Sequence, residues 1–182
     1  MRQQQLHIQG MLYTPEQRML RDQTIWTPVQ GFLAIFQFAV FLVSVGLVLR
    51  CLYSGEGQEA AKWSIILKTL TLYTIMITGS IWEKVVFGKY LFAKAFFWED
   101  VVSMGVIVLH TIYIVSLFYA FLTLEQQLML ILSAYSAYII NAIQFVMKLR
   151  AARLQEAKMK NALQNQDASK ESGAQPPNGV LA

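Results

Sequence analysis

Three carboxylates and one imidazole are the residues whose type and placement point to chemistry. Glu83 on one side and Glu99-Asp100 on the other bracket a segment carrying seven rings: Trp82, Phe87, Tyr90, Phe92, Phe96, Phe97 and Trp98. A carboxyl group at the edge of an apolar region is a candidate general acid, because loss of water disfavours the charged form. The rings offer an apolar platform for a planar ligand, with acids at its edge to move protons. The plainer alternatives are an interfacial aromatic belt for the rings, helix capping for Glu99-Asp100 and a lysine pair for Glu83. His110 lies within the apolar stretch 101–122, where an ionisable residue is a functional candidate by default. It suits ligand contact, axial ligation of a ligand's metal, or proton transfer; its structural alternative is a hydrogen bond to a neighbouring helix. At the standard helical rise Glu99 and His110 stand about 16 Å apart along the axis. They therefore cannot meet at one small reacting group, although both can reach a large ligand.

The elements that position these groups follow from the charge distribution. Of 182 residues 55% are hydrophobic and 14% charged, against about a quarter charged in soluble domains. The stretches 29–49, 63–82, 101–122 and 128–147 contain a single Lys, Arg, Asp or Glu, Lys68. Each is about 20 residues long, enough to cross a ~30 Å hydrocarbon layer. This excludes an ordinary soluble domain and predicts an all-α integral membrane bundle of four transmembrane helices, spanning about 28–49, 63–82, 101–122 and 128–147. Lys68, near the start of the second span, is expected to snorkel to the headgroups. The net charge of +4 sits at span ends and predicts no nucleic-acid partner. Cys51 is the sole cysteine, so no internal disulfide forms, and no phosphate-binding or dinucleotide motif is present.

Thr14-Pro15-Glu16-Gln17 and Thr27-Pro28-Val29-Gln30 each read as Thr at N-cap, Pro at N1 and Gln at N3, a reciprocal capping arrangement. The first opens a short interfacial helix over 15–25 and the second opens span one. Residues 1–12 read as a flexible extension, 13–160 as one membrane domain and 161–182 as a disordered tail, with the last helix continuing into water as a cytoplasmic extension. Polar residues recur at helical spacing in every span: Gln30, Gln37, Ser44; Thr69, Tyr73, Ser80, Glu83; Glu99, Ser103, Val106, His110, Tyr113; and Tyr138, Asn141, Gln144, Lys148. Such stripes are commonly interhelical glue, but four together predict an interior cavity. Twelve of the fifteen Lys and Arg residues fall in the N-terminal segment, the 83–100 loop and the tail. The positive-inside rule then places both termini and that loop in the cytoplasm, and the membrane is expected to be the bacterial cytoplasmic (inner) one.

The segments YTPEQR (13–18), WTPVQG (26–31), VFLVSVGLVLR (40–50), KTLTLYTIMITGSIWEKVVF (68–87), FFWED (96–100) and Asn141–Gln155 with its LRAARLQ resemble the 3-vinyl bacteriochlorophyllide hydratases of photosynthetic bacteria. The resemblance covers roughly 13–157. It implies addition of water to the 3-vinyl group of chlorophyllide a or a relative, giving a 3-(1-hydroxyethyl) product in bacteriochlorophyll synthesis. It implies no cofactor, since magnesium arrives with the tetrapyrrole substrate, and it implies lipid and neighbouring pigment-biosynthesis enzymes as partners. For such a substrate Glu99 and Asp100, with Glu83 as alternate, are the expected acid and base. His110, Trp82, Trp98, Phe97, Tyr73 and Asn141 are the expected substrate contacts, with His110 a possible axial ligand to the substrate's magnesium. The competing expectation is a non-catalytic tetrapyrrole-binding scaffold.

Overall fold

The computed structural model describes residues 12–173. Among them every regular element is helical: α1 (Pro15–Gln23), α2 (Trp26–Ser54), α3 (Gln58–Phe87), α4 (Phe97–Tyr119) and α5 (Leu124–Gly173). The last four are long and apolar enough to cross a membrane. Residues Tyr13–Phe145 form one compact unit, and Val146 onward belongs to another.

Local chemistry sets the boundaries. Thr14 and Gln17 close the expected capping box at α1, with N···O distances of 3.2 and 3.0 Å. The second Thr-Pro motif does not cap. The α2 helix begins at Trp26, with Ile25 at its N-cap and no side-chain bond there. Thr27 instead donates to the Arg21 carbonyl (2.6 Å) and accepts from the Trp82 indole (3.0 Å), while Gln30 donates to Thr78 of α3 (2.7 Å). Both side chains are drawn into tertiary bonds. A further capping box forms at Thr123 and Gln126 before α5. The turn between α2 and α3 needs positive φ at Gly55 (71°) and Gly57 (78°), a conformation that costs glycine nothing. The third span stops at Tyr119 rather than near 122, because Ala120 turns left-handed (φ 48°). The last helix runs to Gly173 because Ala, Leu, Lys, Gln and Glu continue past 160 without a breaker until that glycine. The expected extension before Leu12 and the tail beyond Gly173 lie outside the described residues.

The bundle buries the predicted stripes. On α4 the enclosed residues are Glu99, Asp100, Ser103, Val106, His110, Tyr113 and Ser116, the three- and four-residue spacing of one helix face. Gln37 and Ser44 of α2, Thr69 and Glu83 of α3, and Asn141 of α5 are buried likewise. Phe41, Ile65, Leu72, Val106, Ile131 and Tyr135 fill the apolar core between them. Phe32, Ile35, Ile77 and Phe118 point outward, as expected of rings and aliphatics that face lipid.

Candidate active site

The helix α3 runs five residues past Trp82, so Glu83 is helical and the connecting loop shrinks to 88–96. That loop is tied down at both of its flanks. Glu83 Oε2 accepts from the Ala93 N–H (3.2 Å), and Asp100 Oδ2 accepts from the Phe92 N–H (2.7 Å). Consecutive amides of one loop thus land on carboxylates of two helices, a geometry that holds Phe92 at φ 58°. The Glu83 and Asp100 carboxyls also adjoin each other. Two buried carboxyls that adjoin are costly to ionise together, which favours one acid beside one carboxylate. Both residues, and Glu99, are buried. Asp100 therefore pairs with Glu83 rather than with its sequence neighbour, since adjacent helical residues point about 100° apart.

The seven rings divide into two groups. Trp82, Phe87 and Phe96 turn inward and pack with Tyr13 and Phe145. Phe96 contacts Trp82 edge-on (5.7 Å), Phe87 (5.8 Å), Tyr13 (6.4 Å) and, stacked, Phe145 (5.9 Å). This is a packed knot, with most of its rings steeply inclined, so it offers no flat floor. Tyr90, Phe92, Phe97 and Trp98 remain outward, with Phe97 44% and Trp98 69% exposed. They form the open apolar rim beside the carboxyl pair.

Deeper in the bundle, Asn141 donates to Ser103 (2.7 Å) and Tyr73 shares a hydrogen bond with Thr111 (2.7 Å), so both join helices. His110 is fully enclosed. Its Nδ1 lies 2.8 Å from the Val106 carbonyl, and its ring centre lies 5.8 Å from that of Tyr135. Axial ligation of a magnesium by His110 would require the helices to part. Lys68 departs from the expectation: it does not snorkel. It is fully buried, its ammonium 3.5 Å above the Tyr138 ring and 5.8 Å from that of Phe41. Those ring faces replace part of the lost hydration. A cavity of about 170 Å³ opens at the other end of α3, beside Gln58, Glu59 and Lys62. Its size suits a few water molecules and not a macrocycle.

Four apolar spans with a buried carboxyl pair at the end of one loop are the features of a small multi-pass membrane protein. Residues 13–151 match the 2-vinyl bacteriochlorophyllide hydratase family. The chain belongs to that family. It is 60% identical over 146 residues to the 2-vinyl bacteriochlorophyllide hydratase of Rhodobacter capsulatus, covering 80% of this chain and 85% of that protein. It is 61% identical over 143 residues to the protein of the same name from Cereibacter sphaeroides, covering 79% and 89%. No solved structure matches the chain.

Proposed function

We infer that this protein is a hydro-lyase that adds water to the vinyl group of chlorophyllide a or a 3-vinyl bacteriochlorophyllide. Family membership supports the reaction, since the relatives are named 2-vinyl bacteriochlorophyllide hydratases. The observation that carries the mechanism is the pair of buried carboxyls, Glu83 and Asp100, gathered by consecutive amides of one loop. The protonated member of the pair gives its proton to the terminal vinyl carbon, which becomes a methyl group. The positive charge left on the adjoining carbon is spread by the conjugated macrocycle. Water forms the new carbon–oxygen bond and releases a proton to the carboxylate partner. The pair ends the cycle with one proton, as it began, and the reaction calls on no redox cofactor.

The substrate lies against the outward rim of Phe97 and Trp98, its magnesium carried in with it, and Glu99 lines the same helix start. The membrane is the bacterial inner membrane, with both termini and the 88–96 loop cytoplasmic, as the basic-residue count supports. Lipid, and neighbouring enzymes that hand over or receive the pigment, are the partners this placement favours.

The test is hydration of chlorophyllide a by membranes containing Glu83→Gln, Asp100→Asn or Glu99→Gln, followed by the absorbance change as the vinyl group is lost. Gln at 83 keeps an acceptor for the Ala93 amide and an N–H for Asp100, so the fold survives. The expected result for the 83 and 100 variants is a fall in turnover of about 10²–10⁴ with pigment binding retained. Normal turnover in both would remove the pair from the mechanism. Binding by the parent protein without any product would favour a scaffold.

A further inference from the structure

Among the described residues, each of the four long helices contributes a buried polar atom without a hydrogen-bond partner to the bundle interior: Gln37 Oε1, Lys68 Nζ, His110 Nε2 and Asn141 Oδ1. Their residues are all more than nine-tenths buried. Leaving such an atom unsatisfied costs about 1–3 kcal/mol, more for a charged group, and nothing in the apolar packing requires all four. Their chemistry is complementary. The Val106 carbonyl can only accept, so Nδ1 of His110 carries the hydrogen and Nε2 of the neutral ring is an acceptor. The two amide oxygens are acceptors as well. A lysine ammonium has three donors, enough for these three acceptors, with Gln144 Oε1 a fourth on the same helix as Asn141.

Ring contacts link Lys68 to His110, and Gln37 and Asn141 stand one helical turn from two of those rings, Phe41 and Tyr138. Lys68 lies against Tyr138 and Phe41, which touch each other (5.0 Å); Phe41 touches Tyr135 (5.4 Å), and Tyr135 touches His110 (5.8 Å). Among the described residues no acidic side chain forms an ion pair with Lys68. Its direct contacts are ring faces, so the remaining donors and acceptors must be joined by something small, neutral and able both to give and to take hydrogen bonds.

We propose that the bundle interior is a water-binding site centred on Lys68 Nζ, in which bound waters bridge its ammonium to His110 Nε2, Gln37 Oε1 and Asn141 Oδ1. Water meets the requirement, since a buried molecule typically makes about three hydrogen bonds to otherwise unsatisfied groups. The cavity beside α3 lies close in sequence to this cluster. Ile65 and Tyr113 in the wall of the 170 Å³ cavity stand one helical turn from Lys68 and His110. Ala61 in the same wall accepts from Ser64 (2.7 Å), which bonds Ser44 (2.8 Å), itself bonded to Tyr135. At the inner end Asn141 bonds Ser103, one turn from Asp100. Resting on the hydration reading, the site holds the second reactant: a pigment seated on the rim covers the carboxyl pair from outside, and the attacking water then comes from within the bundle.

Radiolytic hydroxyl labelling tests the site without reference to turnover, because radicals born from bound water oxidise the side chains beside it. The full-length protein in detergent is irradiated and Tyr138 and Tyr135 are scored by mass spectrometry. Both are expected to be labelled despite their burial, and labelling is expected to fall several-fold in Lys68→Met, with Asn141→Leu as a second variant should the first fold poorly. Unlabelled tyrosines in the parent protein, or equal labelling in parent and folded variants, would overturn the proposal. Labelled tyrosines in a protein that does not hydrate chlorophyllide would leave the water site standing and remove the reading of the reaction. Hydration with unlabelled tyrosines would do the reverse.

Discussion

Truncating Phe96 to alanine separates the structural role of the inward rings from a pigment-binding one. Phe96 is 2% exposed and meets four rings, at 5.7, 5.8, 5.9 and 6.4 Å. Aromatic pairs contribute about 0.5–1.5 kcal/mol each beyond burial, so four give roughly 2–6 kcal/mol if added, with less expected because the rings share neighbours. Phe→Ala in well-packed cores costs about 3–5 kcal/mol, and the two routes agree near 3 kcal/mol for a ring at the membrane boundary. Phe96→Leu restores much of the volume and should cost about 1.5 kcal/mol or less. Unfolding in detergent as a function of denaturant, monitored by tryptophan emission, reads both values, with Trp82 a direct neighbour of the altered side chain. Hydration of the vinyl pigment at a temperature where Phe96→Ala remains folded should approach the parent rate, because Glu83 and Asp100 keep their bonds to the loop amides. If Phe96→Ala unfolds within about 0.5 kcal/mol of the parent, the rings are not what holds the loop. A stable Phe96→Ala that no longer binds pigment would move the platform from the outer rim to the inner knot.

Replacing the outward Trp98 by alanine should leave stability within about 0.5 kcal/mol and raise the pigment KM; an unchanged KM would take it out of the binding rim. Thr14→Ala removes the acceptor for the Gln17 amide and should cost about 1 kcal/mol, measured as faster amide exchange in the first turn of α1. Ala120→Gly relieves a left-handed alanine at φ 48° and should raise the unfolding free energy by about 1 kcal/mol, read from denaturant midpoints.

The stripe on α4 was legible because helical spacing alone puts Glu99, Ser103, Val106, His110 and Tyr113 on one face, and that face is buried whichever helices cover it. The spans were legible for the same reason: the absence of charge is a local property. Lys68 was not. Its place in the sequence allows the stem to run either to headgroups or inward, and the choice depends on Tyr138 and Phe41, which come from other helices. The second Thr-Pro motif failed because the Arg21 carbonyl and the Trp82 indole compete for the Thr27 hydroxyl, a contest invisible to a local pattern. Glu83 ranked behind Glu99 when adjacency was the guide. Its approach to Asp100 depends on the loop folding back between them, and pairing across that loop carries no sequence period. The division of the rings was hidden likewise, since seven aromatics in seventeen positions have no single periodicity once a helix end and a turn intervene.

Connecting segments ordinarily absorb insertions and deletions during evolution. The one between α3 and α4 has lost that freedom. Its amides at 92 and 93 must arrive together at carboxylates ten residues behind and eight ahead, so adding or removing one residue on either side displaces both partners at once. The Gly55–Gly57 turn at the opposite end carries no such count. Length variation among natural versions of this protein should therefore collect at that turn and stop short of the 88–96 loop, where a connector is spaced as strictly as a helix.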